Sequence, residues 1–359
     1  MSKQKLTPLS ASRIKTAQNC SWTYFCKYIL KLPEATNEGA SKGWICHLVF
    51  ELLGAEKHAF HLKKALKEGS IYASNALERL VTIHANRLGV NYEEALVDMD
   101  EMALKGLKYD FFGGVKTKPK EAISEKDFDL VVEDGDKNYR IKGFIDKLFL
   151  YNKHAVIRDF KTSKQVFKGK DLTDNLQDLM YSLAIKKLYP KYKKRNSEFL
   201  FLRFPLGEDL LGTPQKGLLE MESIGDEELE GFEYHLTEIT KYLNDYTPTK
   251  AVASFAATKP YPKDGSFGGP LSCGKEGFKK FRGEHLLDQN GNKIPAYICP
   301  FRRPMSYYAL VNSAGEVKRG VFEGDELSLE GLKEEGDSIE LREYEGCPHW
   351  NKKDEFDLS

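Results

Sequence analysis

The sequence predicts a mixed α/β (α+β) fold in which helices flank a mixed central sheet. Segments 139–150 and 155–161 are rich in β-branched and aromatic residues that alternate at a period of two, which predicts strands. Much of 10–112 has helical apolar spacing, and short strands follow the Pro- and Gly-rich stretch at 258–270. We therefore expect an N-terminal helical region at 1–120, a core at 121–255 and a β-rich extension at 256–359.

Local signals set the boundaries of the individual elements. Pro33 and Pro190 cannot continue a helix, so each marks a helix end. The predicted helices are Ser10 to Leu32, 40–57, 60–68, 71–88, 92–112, Thr173 to Tyr189 and Asp226 to Tyr246. The predicted sheet covers 123–161, and Glu198 to Phe204 reads EFLFLRF, which is typical of a buried strand.

Composition restricts the class of protein. The chain has 359 residues, with 54 basic and 54 acidic side chains, and its length is sufficient for a sizeable core. Six cysteines are too few for a disulfide scaffold at this length. No apolar stretch approaches the roughly 20 residues of a membrane span, and the N-terminus lacks the apolar segment of a secretory signal. We expect a cytoplasmic protein of a bacterium or of a phage-infected host, without a membrane partner.

The charge is unevenly distributed although it sums to zero. Residues 186–195 hold six basic side chains and no acid, whereas 323–345 holds ten acids against two basic residues. A basic strip beside an active site can bind phosphates without making the whole protein basic. The alternative is a solvated loop. The candidate DNA-binding residues are Arg13, Lys164, Lys186, Lys187, Lys191, Lys193, Lys194 and Arg195.

Two aspartates and a lysine fall on the predicted neighbouring strands. Asp159 and Lys161 are two apart on one strand, so both side chains point to the same face. Asp146 on the adjacent strand can converge on the same point. Adjacent carboxylates repel one another unless a cation lies between them, and oxygen ligands favour Mg²⁺ or Mn²⁺. The pattern therefore predicts a metal site suited to phosphodiester cleavage, although a lone D-x-K is more often a pair of surface charges.

The order of motifs along the chain resembles a known family. GFID ends at Asp146, RDFK contains Asp159 and Lys161, and a following helix carries Gln177 and Tyr181. The order G-x-x-D, D-x-K, Q-x-x-x-Y resembles the RecB-like branch of the PD-(D/E)XK nuclease superfamily. The chain also has the S-x-S helix start, at 10–12, with a cysteine in that helix, and a G-x-x-x-H helix at 43–47. The resemblance covers about 8–205 and implies the restriction-endonuclease-like core of that superfamily.

The resemblance assigns roles to the residues of these motifs. It implies that His47, Asp146 and Asp159 are metal ligands and that the backbone carbonyl of Phe160 is a further one. It also implies that Lys161 is the catalytic lysine, and that the mechanism is in-line attack of water on the phosphodiester.

Four further positions have roles that the motifs leave open. The resemblance places Gln177 and Tyr181 on the DNA-facing side of the site, although an amphipathic helix also explains them as packing residues. Glu125 matches the acidic residue that often opens the first core strand. Glu51, one helical turn after His47, is either a hydrogen-bond partner of the imidazole or an exposed helix residue, and we favour the second.

The cysteines suggest a second cofactor. Many RecB-like nucleases hold a [4Fe–4S] cluster with one cysteine before the core and three after it, and this chain has Cys20 before it and Cys273, Cys299 and Cys347 after it. The spacing departs from the family, because 25 and 47 residues separate the last three. Buried free thiols and a Zn²⁺ site are the alternatives. Cys26 and Cys46 lie on apolar helix faces and are expected in the core.

Together these patterns predict a metal-dependent DNA nuclease. We expect an exonuclease that processes single-stranded or duplex DNA ends during recombination, repair or phage replication. No Walker A motif is present, so we expect a protein that either acts alone or works with a separate helicase, recombinase or single-strand binding protein. One alternative is a CRISPR-associated nuclease that trims spacers. The other is a DNA-binding or scaffold module without turnover, which would be free to lose one of the three motif residues.

Overall fold

The structure is a computed structural model that describes residues 6–35, 37–114, 117–172, 175–207, 215–263, 268–287 and 291–351. The α-helices, in chain order, are α1 Ala11–Asn19, α2 Ser21–Tyr24, α3 Glu38–Gly54, α4 Ala59–Glu68, α5 Asn75–Arg87, α6 Glu93–Lys108, α7 Leu176–Leu188, α8 Asp226–Leu243, α9 Pro248–Ala251 and α10 Leu327–Glu330. Within these described ranges, no helix combines the length and apolar character needed to cross a membrane.

In the part of the chain that the structure describes, the strands form three sheets. In chain order they are β1 Pro8–Leu9, β2 Glu121–Asp134, β3 Lys137–Leu150, β4 His154–Lys161, β5 Lys194–Phe201, β6 Leu218–Glu220, β7 Lys280–Phe281, β8 Glu284–His285, β9 Met305–Val311, β10 Val317–Val321 and β11 Ser338–Tyr344. The main sheet has the order β1-β3-β4-β5-β6, with β2 paired to β3, and it is mixed because β4 runs parallel to β5 while β2, β3 and β4 are antiparallel neighbours. This is the mixed α/β architecture that the sequence predicts.

The chain divides into two compact units. Unit 1 comprises Met1–Ala11 and Thr36–Lys241, and unit 2 comprises Ser12–Ala35 and Tyr242–Ser359. This division differs from the three regions predicted above, because the helices of 37–108 pack into the same core as the sheet, and because 12–35 groups with the C-terminal part.

Unit 1 is built around the hairpin of β2 and β3. A two-residue turn at Gly135 and Asp136 joins the strands, and Gly135 has the positive φ of 59° that such turns require. Counting back from this turn places Glu125 opposite Asp146. The turn therefore determines which side chains meet at the far end of the hairpin.

Helices α3, α5 and α6 cover one face of the main sheet. Asn37 caps α3, because its side chain accepts a hydrogen bond from the Ala40 amide. Apolar residues of these helices pack in one continuous core with Phe160 and Leu200 of the sheet and with Leu202, which directly follows β5. This core fixes α3, and therefore His47, against the strand that carries Asp159.

Unit 2 contains the three-stranded sheet β10-β9-β11 and the segment 12–35. The predicted helix Ser10–Leu32 is interrupted at Cys20, which has extended backbone dihedrals (φ −151°, ψ 114°). Ser21 starts the next helix, and its hydroxyl lies within hydrogen-bonding distance of the carbonyls of Ala251 and Ser254. These bonds come from residues 230 positions away, so local periodicity could not indicate the break. Cys26 is buried, as predicted.

Candidate active site

A cluster of three metal-ligating side chains lies at the end of the β2–β3 hairpin. Donor atoms of His47, Glu125 and Asp146 all lie within 4.8 Å of one another. His47 Nδ1 is 3.3 Å from Asp146 Oδ1, and the other carboxylate oxygen of Asp146 accepts a hydrogen bond from the Phe160 amide at 2.7 Å. That amide bond fixes the Asp146 carboxylate, so its free face is directed towards His47 and Glu125.

Electrostatics in this cluster favour a bound cation. Burial, together with the neighbouring Asp146 carboxylate, raises the pKa of Glu125 to about 7. Burial lowers the pKa of His47, but the Asp146 carboxylate outweighs this effect, and the pKa is raised to about 9. Glu125 Oε1 is buried without a hydrogen-bond partner. A divalent cation would replace these protons and satisfy the orphaned oxygen, so the donor set fits such an ion.

Glu125 is held in an uncommon backbone conformation. Its φ is +48°, which L-residues with long side chains rarely adopt inside a strand. Such a conformation costs about 1–3 kcal/mol and persists where the surrounding structure imposes it. Here the flanking pairs Ser124–Lys147 and Lys126–Ile145 hold the hairpin in register on both sides.

Asp159 and Lys161 form a second group with two side chains of α7. Lys161 Nζ is 2.6 Å from Asp159 Oδ2 and donates to Gln177 Oε1 at 2.7 Å. The Gln177 amide donates to Asp159 Oδ1 at 2.6 Å, and the Tyr181 hydroxyl donates to the same oxygen at 3.0 Å. Burial raises the pKa of Asp159, and Lys161 opposes this shift. Gln177 and Tyr181 therefore orient the aspartate and the lysine.

Tyr181 is buried, with only 6 % of it exposed, and its ring meets Phe128 edge to face while its hydroxyl reaches Asp159. Its place on the DNA-facing side of the site stays a prediction. Gln177 is half-buried and lies between Lys161 and Asp159. Glu51 is exposed, as we favoured.

Close approach of α3 to the end of β4 depends on Gly43. A Cβ atom at Gly43 would lie 2.5 Å from Thr162 Oγ1. The contact is reinforced by Arg203, which donates to the Thr162 carbonyl and forms a bidentate ion pair with Asp98. Buried Lys42 on α3 bonds the same aspartate at 2.6 Å. This network holds the helix of His47 against the strand of Lys161.

Phe160 contributes to both the core and the site. Its side chain is buried against Phe50, with ring centroids 4.2 Å apart, so Asp159 and Lys161 on either side of it point to the opposite face. Its amide binds Asp146. The role of its carbonyl as a metal ligand stays a prediction.

The basic strip at 186–195 is largely engaged with acids of unit 1. Arg195 is only 1 % exposed and bonds Asp226 at 2.6 Å, so it is a structural residue and not a phosphate contact. Lys186 and Lys193 also lie near Asp226, at 3.8 and 3.7 Å, and Lys187 pairs with Glu233. These acids come from α8, which follows the strip by 30 residues or more in sequence, so the local charge count could not reveal the pairing.

The remaining candidate DNA contacts lie apart from these ion pairs. Lys164, Lys191 and Lys194 are exposed. Arg13 belongs to unit 2, where its guanidinium lies over the Tyr28 ring at 4.6 Å from the centroid. Lys164 lies three residues after the end of β4 and is the candidate nearest in sequence to Asp159 and Lys161.

Unit 2 brings four cysteines to one cavity. Its lining residues include Cys20, Cys273, Cys299 and Cys347, which are far apart in sequence. Gly274 makes part of this possible, because it has a φ of 68° and a Cβ there would collide with the Tyr297 carbonyl. Cys46 is buried in unit 1, as predicted.

Glu125 is the site residue whose position the motifs alone did not establish. The turn Asp134-Gly135-Asp136-Lys137 indicates which residue lies opposite Glu125, because a two-residue hairpin loop fixes the register of both strands. That register places Glu125 opposite Asp146.

Acids and a lysine that converge on a mixed sheet, with a histidine on the helix packed against it, are typical of metal-dependent nucleases. The family comparison agrees, because residues 8–263 match the PD-(D/E)XK nuclease superfamily. The chain belongs to this superfamily. No curated protein matches the sequence.

Two solved structures show weak similarity. The structure described as "Crystal structure of SSO0001" has 18 % identity and a TM-score of 0.25, over 53 % of this chain and 88 % of that one. The protein VC1899 from Vibrio cholerae has 13 % identity and a TM-score of 0.21, over 62 % and 60 % of the two chains.

Proposed function

We propose that this protein is a divalent-metal-dependent DNA exonuclease that processes DNA ends in recombination, repair or phage replication. One observation carries the proposal. The hairpin, β4 and α3 bring together the side chains of one site, which are His47, Glu125, Asp146, Asp159 and Lys161. Superfamily membership supports phosphodiester hydrolysis as the reaction.

The acidic half of the site would hold the metal. The donor atoms of His47, Glu125 and Asp146 are close enough together to share one ion. Asp159 lies in the same region, since its charge raises the pKa of both His47 and Glu125. When bound, Mg²⁺ or Mn²⁺ would supply activation of water and neutralisation of charge on the phosphate.

The other half of the site would orient the reaction. Lys161 is anchored by Asp159 and Gln177 and can place its ammonium beside a scissile phosphate or the attacking water. Gln177 binds Lys161 through its carbonyl oxygen and Asp159 through its amide nitrogen. It therefore fixes the position of the lysine relative to the aspartate. Tyr181 holds the buried Asp159 oxygen from the other side.

We also propose that Cys20, Cys273, Cys299 and Cys347 bind a [4Fe–4S] cluster. Their surroundings supply donors to sulfur of the kind that cluster ligands receive. The amide of Phe301 bonds Cys299, and the amides of His349 and Trp350 bond Cys347. Burial raises the pKa of Cys299 to about 11, so without a metal this thiol stays protonated. Binding would convert the buried thiols to ligated thiolates.

Sulfur spacing favours a cluster over zinc. Four thiolates around one Zn²⁺ lie about 3.8 Å apart, since each Zn–S bond is ~2.3 Å long and the geometry is tetrahedral. Among the residues that the structure describes, the group of three or more possible ligands within 4.8 Å is His47, Glu125 and Asp146, and no cysteines form such a group. Among the described residues, the cysteines are therefore not spaced as the ligands of a single Zn²⁺.

The nuclease proposal is tested with end-labelled linear DNA and closed circular DNA in Mg²⁺, Mn²⁺ or EDTA. We expect metal-dependent loss of linear DNA, survival of circles, and at least about 100-fold slower cleavage by Lys161→Ala. Lys63→Ala, which removes an exposed lysine of α4, is the matched control. Cleavage of circles would refute the exonuclease assignment. If anaerobically purified protein shows no metal-dependent cleavage, the nuclease proposal is wrong and a DNA-binding module without turnover is supported.

The cluster proposal is tested separately by spectroscopy. Anaerobic protein should absorb near ~400 nm and contain iron and sulfide, and Cys347→Ser should lose both. Cys46→Ser changes a core cysteine of unit 1 and should retain them. Colourless wild-type protein with stoichiometric zinc would contradict the cluster.

A further inference from the structure

A groove leads away from the catalytic residues along the first half of α3. It has a volume of about 660 Å³ and is lined at one end by His47 and Lys161. Gly39, Ala40 and Gly43 lie along its helix side, and their small size leaves the space open. Volumes of about 300–1,000 Å³ are typical of sites that take small organic groups. The groove is therefore large enough for a group attached to a phosphate at the site.

Charge in the groove suits a polyanion. Twelve described residues line it, and none of them is a carboxylate. Apart from His47, the ones that carry charge are Lys161, Lys164 and Arg203, all positive. Arg203 is already paired with Asp98, whereas Lys164 is exposed. The nearby Glu38 is bound by Lys42 at 2.6 Å, which reduces its repulsion of an incoming phosphate.

Trp44 provides an aromatic surface at the rim. It is 46 % exposed although it lies next to buried Ile45 and Cys46, so packing of α3 does not account for its large side chain. An edge contact with His84, at 4.9 Å between ring centroids and 80° between planes, holds the indole in place. Trp44 precedes His47 by three residues, which corresponds to about 4.5 Å along the helix axis. Both side chains therefore line the same groove.

We propose that this groove binds one unpaired nucleotide next to the scissile phosphate, with its base stacked on Trp44 and its backbone phosphate near Lys164. Stacking requires an open base face, and inside a duplex neighbouring base pairs cover both faces of every base. The substrate class is therefore single-stranded DNA or an unpaired end. The inference rests on the nuclease function proposed above and specifies its substrate.

The test compares binding of two ligands with equal charge. Fluorescein-labelled oligo(dT) and an abasic oligonucleotide of equal length are titrated in EDTA, which prevents cleavage, and anisotropy is measured. The wild type should prefer the oligo(dT) by about 5- to 150-fold, the equivalent of ~1–3 kcal/mol of stacking. Trp44→Ala should lose most of this preference, Trp44→Phe should keep most of it, and Lys164→Ala should weaken both ligands equally.

Controls separate the inference from the function on which it rests. Phe60→Ala removes another aromatic residue of unit 1, 71 % exposed and outside the groove, and should retain the wild-type preference. An unchanged base preference in Trp44→Ala, or Trp44-dependent binding of a blunt hairpin as tight as that of oligo(dT), would overturn the inference while cleavage of DNA by the wild type still supports the nuclease. If the wild type neither binds nor cleaves DNA, both proposals are wrong.

Discussion

Substitution of Gly43 by alanine tests whether the distance between α3 and β4 determines activity. The new Cβ would lie 2.5 Å from Thr162 Oγ1, whereas ordinary contacts begin at 3.4 Å. With the Thr162 side chain kept in its rotamer, the helix or the strand end must move by about 0.9 Å. A misplacement of about 1 Å in an active site can lower the rate ~100-fold. We expect Gly43→Ala to lose activity by that order of magnitude.

The same substitution should affect stability much less. Alanine in a helix interior is about 1 kcal/mol more favourable than glycine, whereas overpacking costs about 1–3 kcal/mol. The net loss should be no more than about 2 kcal/mol, so the protein stays folded. Urea unfolding and DNA cleavage under saturating Mn²⁺, measured on the same preparation, separate the two effects.

A second substitution tests whether the clash with Thr162 causes the loss of activity. Thr162→Ala removes the oxygen that collides, and the remaining Thr162 Cβ position is 3.7 Å from the new methyl, an ordinary contact. The double variant Gly43→Ala/Thr162→Ala should therefore recover most of the activity, and the two changes should be strongly non-additive. If Gly43→Ala cleaves DNA within threefold of the wild type, Thr162 has turned its hydroxyl away and the packing argument is wrong.

Three further predictions concern individual residues. Glu125→Gln should weaken Mn²⁺ binding by about tenfold or more in calorimetry, whereas Glu121→Gln on the same strand should not; equal affinities would remove Glu125 from the ligand set. Tyr181→Phe should lower activity about 10-fold with little loss of stability, because one hydrogen bond to the Asp159 carboxylate is lost; wild-type kcat would contradict this. Burial raises the pKa of Asp178 to about 6 from a usual 3.8. The free energy of unfolding therefore falls by about 3 kcal/mol as the pH rises through that window. Asp178→Asn should therefore be more stable than the wild type at pH 8, by at most that amount, with the difference vanishing towards pH 4 in urea unfolding; an equal difference at both pH values would refute the linkage.

The sequence was sufficient where the relevant interactions are local. Alternation in 139–150 and 155–161 predicts strands that the structure extends by only two residues and one residue at their starts. The spacing of Asp159 and Lys161 also predicts that both point to one face, and the structure shows them 2.6 Å apart. A period of two is imposed by the backbone itself, so this inference needed no tertiary information.

Non-local contacts explain the predictions that were wrong. The helix expected from Ser10 to Leu32 breaks at Cys20, where Ser21 bonds backbone far along the chain. Arg195 was expected on a DNA-binding strip, but Asp226 on α8 pairs with it and the sheet buries it. In both cases the local pattern is present in the sequence. The hydrogen-bond partner that changes the structure lies too far along the chain to appear in that pattern.

The two halves of the site explain why the D-x-K motif needs its neighbours. Without a cation, Lys161 neutralises Asp159, and Asp146 is balanced by His47. Glu125 is left with a buried oxygen that has no hydrogen-bond partner and with a pKa raised to about 7, so it is the acid with no cation of its own. A divalent ion would supply the missing charge and displace the proton from His47, while Gln177 and Tyr181 keep Asp159 and Lys161 in place. The backbone strain at Glu125 is consistent with this role, because only the hairpin register holds that carboxylate where a cation would compensate it.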